Sequence, residues 1–274
     1  MADKHLIFRS FGSGSSGNCY YLGTEEQGIL IDAGISARYI RNCLKEMNLD
    51  FPNIMGVLIT HDHADHIRSV GRLGEYVHLP VYSTAAIHAG IDRNYGVTLK
   101  LKTARKFFDK GTPFELCGMT INTFSVSHDS TDCLGYVIDF MGERFVLITD
   151  CGIPNDNIEA AIRTANHLVI EANHDEQMLL NGPYPTFLKE RILSDRGHQS
   201  NDTCGELLAR NFHPGLRHIF LCHLSQENND PDVATNTVTQ YLESVGAILG
   251  DGTDGTVMLR ALERTEPSPI YRLK

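Results

Sequence analysis

Short apolar runs of strand length alternate with amphipathic stretches along most of the chain, and the two periods are distinct enough to place elements. Runs rich in Val, Ile, Leu and Phe predict strands near residues 5–8, 18–22, 28–32, 53–60, 80–83, 114–117, 119–127 and 134–139. Further strands are expected near 144–149, 167–171, 218–222 and 256–260. Ile40, Leu44 and Met47 recur at helical spacing and predict a helix over 36–47. Helices are also expected at 67–75, 155–165, 200–212 and 231–246, the third of these opened by a cap-forming Ser200 and the fourth by Asp230. Periodicity alone shows mixed α and β content.

The apolar run 54–60 leads directly into His61-Asp62-His63-Ala64-Asp65-His66. Side chains alternate sides in an extended chain, so His61 and His63 project the same way and can share one ion. Asp65 and His66, where the chain turns toward a helix, can face a second ion. Imidazole and carboxylate donors suit Zn²⁺ or Mn²⁺ without a thiolate. A His-rich surface turn is the competing reading.

Together with Ile29-Leu30-Ile31-Asp32-Ala33-Gly34, this motif resembles the metallo-β-lactamase superfamily, over about residues 5–260. The remaining landmarks arrive in order, each at the end of an expected strand: His128 after 121–127, Asp150 after 144–149 and His223 after 218–222. The resemblance implies one α/β domain spanning 1–274, a four-layer αββα sandwich with two divalent metal ions at one edge. It also implies a ligand allocation. His61, His63 and His128 would hold one ion, Asp65, His66 and His223 the other, and Asp150 would bridge them, while Asp32 would support the ligand loop.

The fold serves many substrates, so the stretch between Glu171 and His223 carries the discrimination. Glu171-Ala172-Asn173-His174, Gly197-His198-Gln199-Ser200 and Leu221-Cys222-His223-Leu224-Ser225 resemble the nuclease branch, in which a Glu and a His deliver a proton to the departing oxygen. Two metals can polarise a phosphoryl group and activate a bridging hydroxide for in-line attack, but a ribose oxygen is a basic leaving group that needs a proton. The resemblance thus makes Asp65, Asp150, Glu171 and His198 the catalytic set. Ile170 replaces the His that precedes the Glu in ribonuclease Z, and His174 follows instead, a candidate phosphate contact.

Phe11-Gly12-Ser13-Gly14-Ser15-Ser16-Gly17-Asn18, Val126-Ser127-His128-Asp129, Glu171-Ala172-Asn173-His174-Asp175 and His223-Leu224-Ser225-Gln226-Glu227-Asn228-Asn229 are similar as a set to the YycJ (WalJ) group of this superfamily. That similarity implies a 5′→3′ exonuclease on double-stranded DNA, linked to DNA repair, with manganese as the metal. In the glycine-rich string Ser15, Ser16 and Asn18 are candidate phosphate contacts through exposed N–H groups; a plain hairpin turn is the alternative.

Charge complicates a DNA substrate. The formal charge is −10, with 24 basic against 34 acidic residues, whereas a protein embracing duplex usually shows a basic face. Lys100, Lys102, Arg105, Lys106 and Lys110 cluster with only Asp109 among them, as a DNA-backbone rail or a solvated face, and Arg38, Arg41 and Lys45 lie along the first helix. The seven cysteines form no C-x-x-C pair, which predicts reduced, mostly buried thiols. Neither an apolar signal core nor a run of 18 apolar residues appears, so a cytoplasmic protein without membrane contact is expected. A small-molecule phosphodiesterase or ester hydrolase on the same metals remains the alternative, followed by a structural or redox use of the ions.

Overall fold

The first half of the chain, in the computed structural model, runs β1 (Leu6–Gly12), β2 (Cys19–Gly23), β3 (Gly28–Ile31), α1 (Ala37–Glu46), β4 (Ile54–Leu58), α2 (Ala64–Ile67), α3 (Val70–Glu75), β5 (Val81–Ser83), α4 (Ala85–Arg93) and β6 (Arg105–Phe107). The second half runs β7 (Phe114–Leu116), β8 (Met119–Ser125), β9 (Leu134–Phe140), β10 (Glu143–Ile148), α5 (Asp156–Ile162), β11 (His167–Glu171), α6 (Glu176–Asn181), α7 (Thr186–Ile192), α8 (Asn201–Asn211), β12 (His218–Cys222), α9 (Pro231–Ser244), β13 (Met258–Ala261) and β14 (Tyr271–Leu273). The structure describes residues 5–273.

Two seven-stranded sheets result, ordered β14-β1-β2-β3-β4-β5-β6 and β13-β12-β11-β10-β9-β8-β7. Each begins as an antiparallel meander and continues parallel, from β3 to β6 in the first and from β10 to β13 in the second. Among the described residues, only β14 returns to the sheet of the other half, pairing with β1.

Parity along the strands explains the layers. Phe145, Leu147, Val169 and Phe220 share a core with the first sheet, while their neighbours Val146, Ile148, Leu168, Ile219 and Leu221 join the apolar faces of α5, α8 and α9. Across the sheets Phe8 packs on Phe145 and Phe220, with ring centroids 5.3 and 4.8 Å apart. Arg9, next along β1, points the other way and donates to the Cys43 carbonyl of α1 at 3.0 Å. Strands buried on both faces read as near-continuous apolar runs because each face has its own partner.

Ser200 caps α8 and Asp230 caps α9, each accepting from a first-turn N–H. The helix expected at 67–75 is divided into α2 and α3, because the Ser69 N–H and hydroxyl are drawn to the Ala33 and Ile35 carbonyls. Helix α4 has no strong sequence signal because Gly90 interrupts it. A Cβ there would lie 1.8 Å from Asp62 Oδ2, so close packing excludes a better helix former. Among the described residues, no helix is long and apolar enough to cross a membrane.

Candidate metal centre

Parallel strands within each sheet bring their carboxyl ends to one edge, where ligands of open α/β sheets gather. There β3 delivers Asp32, β4 delivers His61 to His66, β8 leads to His128, β10 to Asp150, β11 ends on Glu171 and β12 gives His223. Asp32, Asp150 and His223 each take positive φ, at 61°, 51° and 54°. A left-handed turn in a non-glycine residue costs energy, and here it turns three strand ends abruptly into the site.

The structure brings the seven expected ligand residues together. His61, His63 and His128 form one group, Asp65, His66 and His223 another, and Asp150 shares a third with His61 and His66; within each, one ligating atom per residue lies within 4.8 Å of the others. His128 Nδ1 faces the Gly197 carbonyl at 3.1 Å, which leaves Nε2 for the cluster. His61 Nε2 and His223 Nε2 are buried without a hydrogen-bond partner. His223 Nε2 does approach Asp65 Oδ2 at 3.4 Å, but without hydrogen-bonding geometry. Buried nitrogens left unpaired cost about 1–3 kcal/mol each, and a coordinated ion removes that cost. The residues present therefore fit divalent metal.

Support for the ligand loop comes from behind. Asp32, fully buried, accepts the Thr60 N–H at 2.9 Å, the Thr60 hydroxyl at 2.8 Å and His66 Nδ1 at 2.7 Å. The Asp65 and His66 carbonyls accept from the Asn18 and Ala33 N–H groups. A Cβ on Gly34 would lie 1.6 Å from the Asp65 carbonyl oxygen, so only glycine lets the two loops meet.

Charges in the cluster compensate one another. Burial would raise the Asp150 carboxyl, yet His223, His66 and His61 hold it well below the usual range. Burial likewise opposes the charge on Glu171, and His198 lowers it. The His223 ring, which burial would depress, is pushed up to about 10 by Asp150, Asp65 and Glu171.

Glu171 is central to the second half of the site. Its Oε1 lies 2.8 Å from both His198 Nδ1 and His223 Nδ1, and its Oε2 accepts the Cys151 N–H at 2.9 Å. One carboxylate oxygen thus fixes two rings, each with Nε2 free to face elsewhere. His198 retains 12% exposure of its side chain, enough to meet a substrate.

Other expected contacts are placed differently. His174 is 1% exposed with neither ring nitrogen hydrogen-bonded, and burial lowers it to about 4; it is packed beneath the surface. Asn18 is also buried: its amide faces His66 Nε2 at 2.9 Å and Asp65 Oδ2 at 3.3 Å, so it adjoins the ligands instead of reading phosphate from the surface. Ser15 and Ser16 are exposed at the tip of the glycine-rich turn. In the basic segment, Lys100 donates to the Asn94 carbonyl at 2.6 Å, Arg105 pairs with Asp92 and Lys110 with Asp132, both at 2.7 Å. Lys102 and Lys106 remain exposed, a weaker rail than the sequence suggests.

Sequence reasoning missed Asp129, whose Oδ1 lies 3.4 Å from His128 Nε2 and whose other oxygen pairs with Arg191 at 2.6 Å. It also missed Ser13, which accepts the His223 N–H at 3.0 Å, and Asn173, which donates to the His223 carbonyl at 2.8 Å. Ser13 stands in the glycine-rich string and Asn173 two residues after Glu171, but neither spacing reveals its partner.

A two-sheet α/β fold with this ligand edge defines a metallo-β-lactamase-fold hydrolase, and the family model described as a β-lactamase superfamily domain matches residues 27–214. The chain belongs to that superfamily and is a metal-dependent hydrolase. It is 36% identical to exodeoxyribonuclease YycJ of Bacillus anthracis, over 90% of this chain and 92% of that one. Exodeoxyribonuclease WalJ of Streptococcus pneumoniae is 35% identical, over 93% and 94%. Among solved structures, the metallo-β-lactamase fold protein YhfI from Bacillus subtilis covers 96% of this chain and 99% of its own at TM-score 0.65 and 15% identity. Zn²⁺-bound PqqB from Methylobacterium extorquens gives the same coverage and TM-score at 16% identity, a likeness of fold.

Proposed function

We propose that this chain is a cytoplasmic, single-domain exonuclease that digests double-stranded DNA from 5′ to 3′ in the service of DNA repair, with two Mn²⁺ or Zn²⁺ ions. The observation that carries this reading is Glu171 Oε1 at 2.8 Å from His198 Nδ1, beside the clustered nitrogen and carboxylate ligands. Relatives named as exodeoxyribonucleases over nearly the whole chain support the choice of substrate.

His61, His63 and His128 would hold one ion, Asp65, His66 and His223 the other, and Asp150 would lie between. Ions bound there supply Lewis acidity toward a phosphoryl oxygen and lower the pKa of water. The chain's own part is positional and protonic. Glu171 accepts the His198 Nδ1–H, which orients the ring and leaves Nε2 to carry the proton given to the departing sugar oxygen. The same carboxylate accepts the His223 Nδ1–H and so aims Nε2 at the cluster. Of the contacts expected from the sequence, exposed Lys102, Lys106, Ser15 and Ser16 would meet the DNA backbone.

Metal-loaded protein assayed on 5′-labelled duplex, single-stranded DNA and a chromogenic phosphodiester tests the proposal. Early release of the 5′ label as a mononucleotide from the duplex is expected, whereas a ladder of shortened strands that keep the label would mark the opposite polarity. Turnover of the chromogenic diester with intact DNA would instead mark a small-molecule phosphodiesterase.

A further inference from the structure

Helices α1 and α3 start close to the metal edge and run back along the outer side of the first sheet. α1 begins shortly after Gly34, which abuts Asp65, and α3 follows α2, which bears Asp65 and His66. Between them lies an open groove of about 810 Å³ whose walls include Arg38, Arg41, Phe51, Arg72, Tyr76 and His78. From Ile54 at its floor to His61 the chain advances seven residues, about 20 Å at strand rise. The groove is therefore separate from the metal cluster.

Its charge is unlike that of the chain. The protein carries −10 overall, yet among the lining residues Asp50 is the one carboxylate, and Arg41 neutralises it through bonds of 2.8 and 2.9 Å. Arg41 also lies over the Phe51 ring at 5.9 Å, forming a fixed wall. Arg38 is exposed and has no hydrogen-bond or ion-pair partner among the described residues. The Arg72 guanidinium faces the Tyr76 ring at 5.6 Å, and Tyr76 is 69% exposed. Arg38, with its guanidinium unpaired, and Arg72, whose guanidinium contacts only the Tyr76 ring among the described residues, thus line the same concave site as that exposed ring.

We propose that this groove is a second nucleic-acid site that holds single-stranded DNA, its phosphates on Arg38 and Arg72 and one base on Tyr76. Guanidinium groups attract any polyanion, but an exposed aromatic face adds stacking that only an unpaired base can use. A duplex keeps its bases stacked inside and offers no such face. The inference rests on the nuclease reading, which also supplies the occupant: digestion of one strand of a duplex leaves the other single.

The test measures binding of metal-loaded protein to a labelled single-stranded oligonucleotide with hydrolysis-resistant linkages, alongside turnover of a chromogenic phosphodiester. Tyr76→Ala is expected to weaken binding about tenfold, Tyr76→Phe to leave it nearly unchanged, and the Arg38→Ala, Arg72→Ala double variant to weaken it further and flatten its salt dependence. Turnover of the small diester should not change in any of them. Unchanged oligonucleotide affinity in Tyr76→Ala and in the double variant would overturn the proposal. So would equal binding of polyglutamate that is indifferent to Tyr76→Ala, which would make the groove a site for acidic peptides. If the wild type hydrolyses the small diester but neither digests nor binds DNA, the nuclease reading fails instead.

Discussion

Glu171 Oε1 and His198 Nδ1 are 2.8 Å apart, joining the end of β11 to the loop before α8 across 27 residues of sequence. The carboxylate is fully buried and the ring is not, so the pair has a fixed interior end and an end that can meet substrate.

Removing the ring should therefore cost proton delivery and little else. His198→Ala is expected to keep its metal and its duplex affinity while turnover falls about 10²- to 10⁴-fold. A substrate with a good phenolate leaving group should recover most of that loss. Kinetics on good and poor leaving groups, with metal analysis of the variant, check this; equal losses on both would make His198 structural.

Asp32 accepts hydrogen bonds from Thr60 and His66, so its effect on a bound ion would pass through them. Asp32→Ala should lower metal affinity about 10- to 100-fold, as loss of a carboxylate behind a ligating His does elsewhere. Competition with a fluorescent chelator measures the change, and an affinity equal to wild type would remove Asp32 from the ligand support.

Gly34→Ala should be far more damaging than its size suggests, because the new Cβ would meet the Asp65 carbonyl oxygen at 1.6 Å. The ligand loop must shift, with a cost of about 1–3 kcal/mol in stability and a loss of bound metal. Thermal melts with and without metal report both; an unchanged melting temperature would contradict the close approach of the loops.

An acid-sensitive pair sits away from the metal edge, at the starts of β11 and β12. His167 Nδ1 meets His218 Nδ1 at 2.9 Å and His167 Nε2 meets Glu143 at 3.1 Å, so His167 donates to Glu143 and accepts from His218. Burial lowers His167 to about 2 and His218 to about 4. The unfolded chain takes up these protons near 6.5, before the folded one does, so their contribution is complete above about pH 6.5 and is lost as pH falls, through about 4 for His218 and toward 2 for His167. His218→Gln should flatten that acid limb in denaturant melts between pH 7 and 4; an unaltered limb would place the sensitivity elsewhere.

Much of this site is legible in the sequence because each expected ligand follows a strand: His61 after β4, His128 after β8, Asp150 after β10 and His223 after β12. The runs β4, β10 and β12 are apolar because most of their residues are buried on both faces, whereas β8 alternates buried and half-buried positions. What periodicity cannot show is which side chains meet across elements. His174 and Asn18 stand beside catalytic-type motifs yet are buried, and Lys100 and Arg105 look free in sequence yet are paired. Strand β14 pairs with β1 from the opposite end of the chain, a contact with no local signal.

Metal analysis of purified Asp150→Ala beside the wild type, paired with turnover on 5′-labelled duplex, decides whether Asp150 joins two ions in a nuclease centre. Two ions per chain are expected in the wild type, and in the variant a loss of metal together with loss of DNA digestion. A variant that kept both ions and wild-type turnover would contradict that role.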